Sequence, residues 1–168
     1  MKRLTLTALL LFSFFQTNAS ETPHRVLLVY ESSRFKTNLI SKMEELFTQK
    51  NIEVTVSTHS RRDMGIDNPH NYSAIFISNS GVNSQIRPWI SKWLEQTDYQ
   101  NILLHTTQIS EWSIDTEFDA VTSASSNSQI NEIAAEYTEK ITELFLQTEN
   151  SEHEKNDKNQ PSENNELN

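Results

Sequence analysis

The sequence predicts an α/β domain, a three-layer sandwich in which a parallel sheet of five strands is covered on both faces by helices. Five short apolar runs, rich in β-branched residues, recur along the chain and indicate strands. Three of these runs are almost continuously apolar, which is typical of strands buried on both faces of a parallel sheet. Helical patterns lie between and after the runs, and this alternation favours right-handed crossovers between parallel strands.

The second predicted strand differs from the others in its pattern. Its apolar residues alternate with Glu53 and Thr55, as expected of an edge strand with one face in water. The five predicted strands cover residues 26–30, 52–56, 74–77, 102–104 and 120–121.

Apolar stripes with helical spacing predict three helices. Ser126 and Gln129, three residues apart, match a capping box at the start of the last helix. The connections 57–73 and 106–119 have no such stripe, so we expect short helices and loops there. The stripes are formed by Leu39, Ile40, Met43, Leu46 and Phe47, by Ile86, Trp89, Ile90, Trp93 and Leu94, and by Ile130, Ile133, Ala134, Tyr137, Ile141, Leu144 and Phe145.

The start of the chain has the pattern of a secretory signal peptide over residues 1–19. Lys2 and Arg3 give a positive start, residues 4–15 form a mostly apolar run, and small residues lead to Ala19, after which we expect cleavage. The run is shorter than the roughly 20 apolar residues that cross a bilayer. An uncleaved anchor is the alternative. We therefore predict a periplasmic or secreted protein that is not inserted in a membrane after cleavage.

Composition limits the kinds of site and partner. The chain contains no cysteine, which excludes disulfides, haem attachment through thiols and zinc–thiolate centres. Its net charge is −9, and it becomes −11 without residues 1–19, because that segment contains two basic and no acidic side chains. An acidic protein of this kind is a poor partner for nucleic acid and for anionic membranes.

The polar character of the chain is strongest after residue 146. Residues 147–168 are almost entirely polar or charged, with Leu167 as their only aliphatic side chain. Such a segment buries too little apolar surface to offset the entropy of ordering it. We therefore predict a disordered acidic tail over 147–168 and one folded domain over 20–146, a size that supports its own core.

Polar side chains follow the predicted strands at the places where each strand ends. In open parallel sheets, ligands bind beyond the carboxyl ends of the strands, where the strand order reverses. Hydroxyls and amides prevail there, and they bind ligands by hydrogen bonding but do little acid–base catalysis by themselves. We therefore assign no catalytic residue. The strand-end segments are 31–33, 58–59, 78–81, 106–108 and 123–126.

The turn into the first helix is the most informative of these segments. Hydroxyls and two cations stand at a helix start, where main-chain N–H groups and the helix dipole attract anions. This pattern indicates a phosphate or small-anion site. The alternative is that the hydroxyls cap the helix and the cations are solvated. The residues concerned are Ser32, Ser33, Arg34, Lys36 and Thr37.

The same turn resembles the phosphate loop of the flavodoxin-like superfamily, S-x-T-G-x-T after an apolar first strand. Ser32 and Thr37 match its outer hydroxyls, whereas Arg34 and Phe35 replace its central Thr and Gly. The resemblance covers roughly residues 25–145. The family's third strand, flavin-side loop, following helix and fourth strand are similar to residues 71–77, 78–83, 86–90 and 101–107.

The resemblance implies a parallel sheet in the order 2-1-3-4-5 and a site for flavin mononucleotide (FMN) at the carboxyl ends of its strands. The phosphate would lie on the turn into the first helix, and the flavin ring beside the loops after the third and fourth strands. The cofactor-binding residues implied in this way are Ser32, Ser33, Arg34, Lys36, Thr37, Asn79, Ser80, Gly81, Thr106, Thr107 and Trp112.

Departures from the family pattern argue against FMN. Phe35 replaces a glycine at which the main chain would approach the phosphate closely. The loop 78–83 has no aromatic ring to stack on a flavin, and the loop after the fourth strand offers Trp112, which is otherwise a packing residue. We therefore expect no cofactor, with FMN as the alternative.

The folded region has few candidates for other chemistry. His59, His70 and His105 do not stand at metal-ligand spacing, so we predict no metal site. His105 is the best single candidate for a functional residue, and its alternative is a strand-end histidine bonded to a backbone carbonyl. Trp89 and Trp93 share one helical stripe and are expected in the core, whereas an exposed pair would mark a partner groove.

From the sequence we expect an exported flavodoxin-like domain that acts as a non-catalytic accessory or binding module. Its cleft would be empty or would hold a small anion or a protein partner. An FMN-binding electron-transfer or reductase protein is the alternative. A hydrolase that uses a serine and His105 is a third hypothesis.

Overall fold

The structure is a computed structural model that describes residues 23–81, 85–108 and 116–158, the side chains of 149–158 excepted. The predicted signal peptide, Trp112 and the last part of the predicted tail lie outside these residues. The described part of the chain is an α/β domain with a five-stranded sheet in the order β2-β1-β3-β4-β5. The predicted fold class and strand order are confirmed.

All four strand pairings in this sheet are parallel. The central strand β3 is buried over almost its whole length. Strand β2 lies at the edge, as predicted, but its burial does not alternate as its sequence does, because Val56 is exposed and Thr55 is half-buried. The strands are β1 (Arg25–Tyr30), β2 (Glu53–Thr58), β3 (Ala74–Ser80), β4 (Ile102–Thr107) and β5 (Asp119–Ser123).

Strands β3 and β4 extend further toward their carboxyl ends than the apolar pattern predicts. The predicted strands end at Ile77 and Leu104, but the ladder continues, for example with Ser78 opposite His105. Backbone pairing does not depend on side-chain polarity, and the buried polar side chains here largely hydrogen-bond to one another. Residues expected to line an open edge therefore lie inside the sheet.

Of the α-helices in the described residues, two pack on one face of the sheet and one packs on the other. The helices α1 (Arg34–Gln49) and α3 (Ile130–Lys158) share one core with the apolar residues of their face, among them Phe76. Helix α2 (Pro88–Leu94) packs on the opposite face, to which alternate side chains of the strands point. The predicted apolar stripes supply buried residues to all three helices.

Short 3₁₀ turns occur in two of the described connections, and most of the connection 106–119 lies outside the described residues. A 3₁₀ turn at Pro69–Asn71 is the only helical element between β2 and β3 in the described residues. A second one, Asn127–Gln129, leads into α3. Ser126 makes no capping hydrogen bond, and its hydroxyl pairs with that of Ser128 (2.8 Å). The predicted capping box is therefore wrong, because the chain enters α3 through the tighter turn.

Helix α3 continues beyond the predicted domain boundary at Leu146. Its backbone is helical through Lys158, so the first part of the predicted tail extends the helix. Glutamate, lysine and glutamine are good helix formers, and adding residues to an existing helix requires no new nucleus. The disorder expected of residues 159–168 stays a prediction. Among the described residues, no helix is long and apolar enough to span a bilayer.

Candidate functional site

The carboxyl ends of β1 and β3 meet where the strand order reverses, and the carboxylate of Glu31 lies there. Its Oε2 accepts a hydrogen bond from the main-chain N–H of Ser80 (3.0 Å), and its Oε1 accepts one from Arg87 Nη2 (2.8 Å). Lys36 Nζ lies 3.5 Å from Oε2. We call these four residues the Glu31 network. It occupies the position at which open α/β sheets bind ligands.

Lys36 is the buried cation of the Glu31 network. Its side chain is 1% exposed, and Nζ also donates to Ser80 Oγ (2.6 Å). Burial lowers the pKa of Lys36, and the carboxylate of Glu31 opposes that shift. Burial raises the pKa of Glu31, but the hydrogen bonds from Ser80 and the charges of Lys36 and Arg87 outweigh it and hold that pKa below its ordinary value. The carboxylate and the ammonium thus stabilise each other's charged form.

The predicted phosphate loop is divided between the surface and the interior. Ser33 caps α1, because its Oγ accepts a hydrogen bond from the N–H of Lys36 (3.2 Å). Ser32, Arg34 and Thr37 are exposed, whereas the side chain of Lys36 turns inward. One of the two cations expected at this helix start is therefore solvated, and the other is bound by the protein's own carboxylate.

Phe35 points away from the loop. Its side chain is 6% exposed and belongs to the core that α1 and α3 share. Phe35, Leu39 and Met43 are four residues apart, so they lie on one face of α1. The expectation that the ring of Phe35 stands where a phosphate would approach is wrong. Lys36 is the loop side chain that reaches the ends of β1 and β3.

Glu31 and Arg87 are the members of the network that the sequence-based prediction missed. A signal for Glu31 was present, because it is the only acidic residue in the five strand-end segments. A carboxylate that is partly removed from water needs a cationic or N–H partner. No comparable signal distinguishes Arg87, whose contact with Glu31 spans 56 residues of sequence.

The residues expected beside a flavin ring are used by the sheet itself. Asn79 Nδ2 donates to His105 O (3.0 Å) and to Thr106 Oγ1 (2.9 Å). Thr107 Oγ1 donates to Asn79 O (3.2 Å), and the N–H of Gly81 donates to Thr107 O (3.0 Å). Asn79 Oδ1 is buried and has no hydrogen-bond partner among the described residues. These side chains therefore hold β3 and β4 together.

His105 is the centre of a buried chain of polar groups. Its Nδ1 lies 2.8 Å from Ser78 Oγ, and its Nε2 lies 2.8 Å from Ser123 Oγ. The ring packs against Phe76 and Tyr137, with centroids 5.7 Å and 5.1 Å away. The partners of this histidine are thus two hydroxyls, not the backbone carbonyl expected of a structural strand-end histidine.

The surroundings of His105 argue against its use in a hydrolase. Burial lowers the pKa of His105 to about 3, and the charge of Lys36 adds to this effect. A general base must accept a proton during the reaction and works best with a pKa near the operating pH. Although Ser123 is within hydrogen-bonding distance, His105 is therefore a poor base for activating it.

His59 also has both ring nitrogens engaged. Its Nε2 lies 2.9 Å from Ser78 O and must donate there, and its Nδ1 accepts a hydrogen bond from Trp89 Nε1 (3.3 Å). Burial lowers the pKa of His59, which keeps the ring neutral.

Trp89 and Trp93 pack at the margin of the core under α2. Both are half-buried, so neither is fully in the core.

The described residues contain no cluster of metal ligands, and a groove found among them is small and lies away from the predicted site. No group of three or more His, Asp or Glu side chains in that part of the chain is arranged to hold a metal ion. A groove of about 160 Å³ lies between β5 and α3, with Val121, Lys140 and Leu144 in its walls. This volume is small compared with the several hundred Å³ of typical ligand pockets, and none of the predicted binding residues lines it.

The contacts of Lys36 disfavour a phosphate of FMN beside it. Lys36, the buried cation of the loop, is already bound to Glu31, and that carboxylate would repel a phosphate placed beside it. On the side expected to face the flavin ring, the main-chain N–H groups of Ser80 and Gly81 are already hydrogen-bonded. Trp112, the ring predicted to stack on the flavin, lies outside the described residues.

Similarity to known proteins is found in the structure alone, because no family model and no curated protein matches this sequence. A flavodoxin from the domain Archaea aligns over 71% of this chain and 98% of its own, with a TM-score of 0.50 and 12% identity. Oxidised flavodoxin 2 from Bacillus cereus aligns over the same shares, with a TM-score of 0.51 and 11% identity. The chain has a flavodoxin-like fold.

The flavodoxin-like fold is all that these similarities establish. At 11% and 12% identity, they do not carry over a ligand or an activity, because one fold can hold many different sites. A response regulator receiver domain from Bacillus halodurans aligns with a TM-score of 0.38 and 15% identity. The function of this flavodoxin-like domain has to be argued from its own residues.

Proposed function

We propose that this chain is an exported, flavodoxin-like binding module that works without FMN and without catalysis. The observation that carries the proposal is the Glu31 network. The carboxylate lies where the fold would hold an anionic ligand, and it is neutralised by Lys36, by Arg87 and by the N–H of Ser80. Because the protein supplies its own anion at this position, recognition of a partner is left to the surface around it.

The buried polar residues support a non-catalytic role. His59 and His105 each engage both ring nitrogens, and burial lowers the pKa of each, so both are neutral. Lys36 is held by Glu31 and Ser80. Acid–base catalysis needs a group that exchanges its proton near the working pH. These residues instead stabilise the carboxyl ends of the strands.

A weak site for small anions at the start of α1 is part of the proposal. Ser32, Arg34 and Thr37 are exposed there, at the positive end of the helix dipole. Because Lys36 is bound to Glu31, only the surface groups can bind an external anion. Such a site would be weak and sensitive to salt.

The alternative is an FMN-binding electron-transfer or reductase protein. Its support is the likeness of the fold to two flavodoxins. In this alternative, the phosphate of FMN would have to replace Glu31 as the partner of Lys36. That exchange would leave a carboxylate beside the phosphate unless the loop rearranged.

Titration of FMN with the exported protein distinguishes the two functions. We expect the fluorescence of FMN to stay unquenched by the wild-type protein, and an authentic flavodoxin serves as the positive control. The variant Glu31→Gln removes the internal anion and is expected to bind FMN or inorganic phosphate more tightly than the wild type. A wild-type protein that is yellow when purified, or that quenches FMN with micromolar affinity, would show that the proposal is wrong.

Export is the second part of the proposal, and it rests on the pattern of residues 1–19. We expect the protein recovered from the periplasm or the medium to begin at Ser20. Amino-terminal sequencing of the purified protein measures this. Recovery of the whole chain, with Met1, in the membrane fraction would instead support an uncleaved anchor.

A further inference from the structure

The carboxyl ends of β1, β2 and β3 carry most of the arginines of the chain. Outside the predicted signal peptide the sequence contains five arginines, and four of them lie here. Arg34 begins α1, Arg61 and Arg62 follow β2, and Arg87 immediately precedes α2. We call these four residues the arginine edge. On a chain with a net charge of −9, they form a local region of opposite sign.

Hydrogen bonds bring the loops of the arginine edge together. Arg87 Nη2 binds Glu31 (2.8 Å), the residue that follows β1. Trp89 Nε1 binds His59 (3.3 Å), the residue that follows β2. Strands β1 and β2 pair along their whole length, and paired strands are about 4.8 Å apart. The loops that carry the four arginines therefore meet at one edge of the sheet.

Three of the four arginines have no side-chain partner among the described residues. Arg34, Arg61 and Arg62 are exposed, and none of their side chains forms a hydrogen bond or ion pair with a described residue. Asp63, the acidic residue of the same turn, instead accepts a hydrogen bond from the N–H of Gly65 (2.8 Å). Cations that repel one another without internal partners gain most from an anionic partner outside the protein.

Arg87 and Trp89 give the arginine edge an ordered anchor. The guanidinium of Arg87 lies over the ring of Trp89, 5.5 Å from its centroid, and both side chains are half-buried. Arg87 Nε is buried and has no hydrogen-bond partner in the described part of the chain. Arginine and tryptophan are the side chains that most often contribute strongly to protein–protein binding. The anchor needs little ordering when a partner binds.

We propose that the arginine edge is the docking surface for an acidic segment of a partner protein. Guanidinium groups bind carboxylates through two parallel hydrogen bonds. A surface spread over several loops suits an extended segment with several carboxylates better than a single small ion. A nucleic acid suits it less well, because its charge would continue onto the acidic remainder of the protein. The inference rests on the proposed function and specifies the chemistry of the partner.

The test uses a fluorescent peptide of alternating glutamate and serine, titrated with the exported protein and followed by anisotropy. We expect saturable binding at low salt that weakens as the ionic strength rises. The double variant Arg61→Glu/Arg62→Glu should bind about tenfold more weakly or worse, because two attractive charges become repulsive. The control double variant Lys50→Glu/Lys140→Glu has the same net charge, alters exposed residues elsewhere, and should bind within about twofold of the wild type.

Several outcomes would overturn the inference. Equal losses of peptide affinity in the two double variants would mean that net charge alone governs binding. A wild-type protein that does not bind the peptide saturably would show that the arginine edge is not a docking surface for acidic segments. A single-stranded oligonucleotide of the same length is the second probe. If it binds more tightly than the peptide and depends on Arg61 and Arg62, the partner is a nucleic acid and the inference is wrong. A cooperative urea transition in each variant confirms that it is folded.

The two proposals can fail separately. Binding of FMN by the wild-type protein would show that the proposed function is wrong, whether or not the peptide binds. If the protein binds neither FMN nor the acidic peptide, only the proposal of the docking surface is wrong.

Discussion

Lys36 is buried in this protein, although lysine is usually found at the surface. Lysine is almost never fully buried without a partner, because removing an ammonium from water is costly. Here the side chain is 1% exposed and lies between Glu31 and Ser80. In the sequence, Arg34 and Lys36 are equivalent cations two positions apart. The helical period decides between them, because Arg34 points outward while Lys36 lies near the ends of β1 and β3.

The variant Glu31→Gln is expected to be less stable than Lys36→Met. Glutamine removes the negative charge beside the buried ammonium of Lys36 and leaves it the hydroxyl of Ser80. We expect this change to lower the free energy of unfolding by about 2 to 3 kcal/mol. The loss is smaller than for a fully buried ion pair, because Glu31 is 26% exposed. Methionine keeps most of the length of the side chain without its charge, and Glu31 retains Arg87 and the N–H of Ser80. We expect that change to cost about 1 kcal/mol. Urea unfolding measures both free energies.

Equal losses in these two variants would contradict the prediction. They would mean that shape, and not charge, holds Lys36 in place. The matched removal of an exposed cation, Lys92→Met, should change the free energy of unfolding by less than about 0.5 kcal/mol.

At the level of elements, the ends of helices and strands are where sequence patterns were least informative. The start of α1 follows its pattern, since Ser33 caps the helix. The start of α3 does not, because a 3₁₀ turn intervenes and Ser126 bonds another hydroxyl. Capping depends on the direction in which the chain arrives, and that direction is set by the strand before it. The same reason explains the longer β3 and β4, whose polar ends are held by their neighbours.

Replacement of Ser33 by alanine is expected to cost about 1 kcal/mol of stability. The change removes the acceptor for the N–H of Lys36 at the first turn of α1. Ser126→Ala is the matched control, because no helix N–H depends on that hydroxyl, and it should cost less than about 0.5 kcal/mol. Urea midpoints measure both. A loss for Ser126→Ala as large as for Ser33→Ala would mean that Ser126 acts as a cap after all.

At the scale of the whole molecule, the sheet separates two apolar cores, and polar residues are concentrated at one end of it. The apolar part of the sheet binds α1 and α3 on one face and α2 on the other. Toward the carboxyl ends of β3 and β4 the buried residues become polar, with His105, Ser78 and Asn79 all fully buried. Folding therefore favours the neutral form of His105, which ties stability to pH.

Stability is expected to fall as the pH is lowered from 7 to 5. The pKa of His105 is lowered to about 3 in the folded protein, against an ordinary value of 6.5. Between these values the unfolded chain binds a proton that the folded chain does not, so the free energy of unfolding decreases as the pH falls. At pH 5 this amounts to about 2 kcal/mol for His105. His59, whose pKa is also lowered, adds in the same direction.

Urea unfolding at pH 7 and pH 5 measures this dependence. In His105→Gln the difference between the two pH values should shrink. A wild-type protein equally stable at both values would contradict the prediction.

The sequence by itself determined the class of fold, the number of strands and the faces of the helices that are buried. These follow from apolar periodicity, which is a property of neighbouring residues and can be read locally. Only the tertiary structure decided that Lys36 turns inward, that Phe35 joins the core and that Glu31 is neutralised where a ligand was expected. These outcomes depend on contacts such as those of Ser80 and Arg87 with Glu31, across 49 and 56 residues of sequence, which no local pattern encodes.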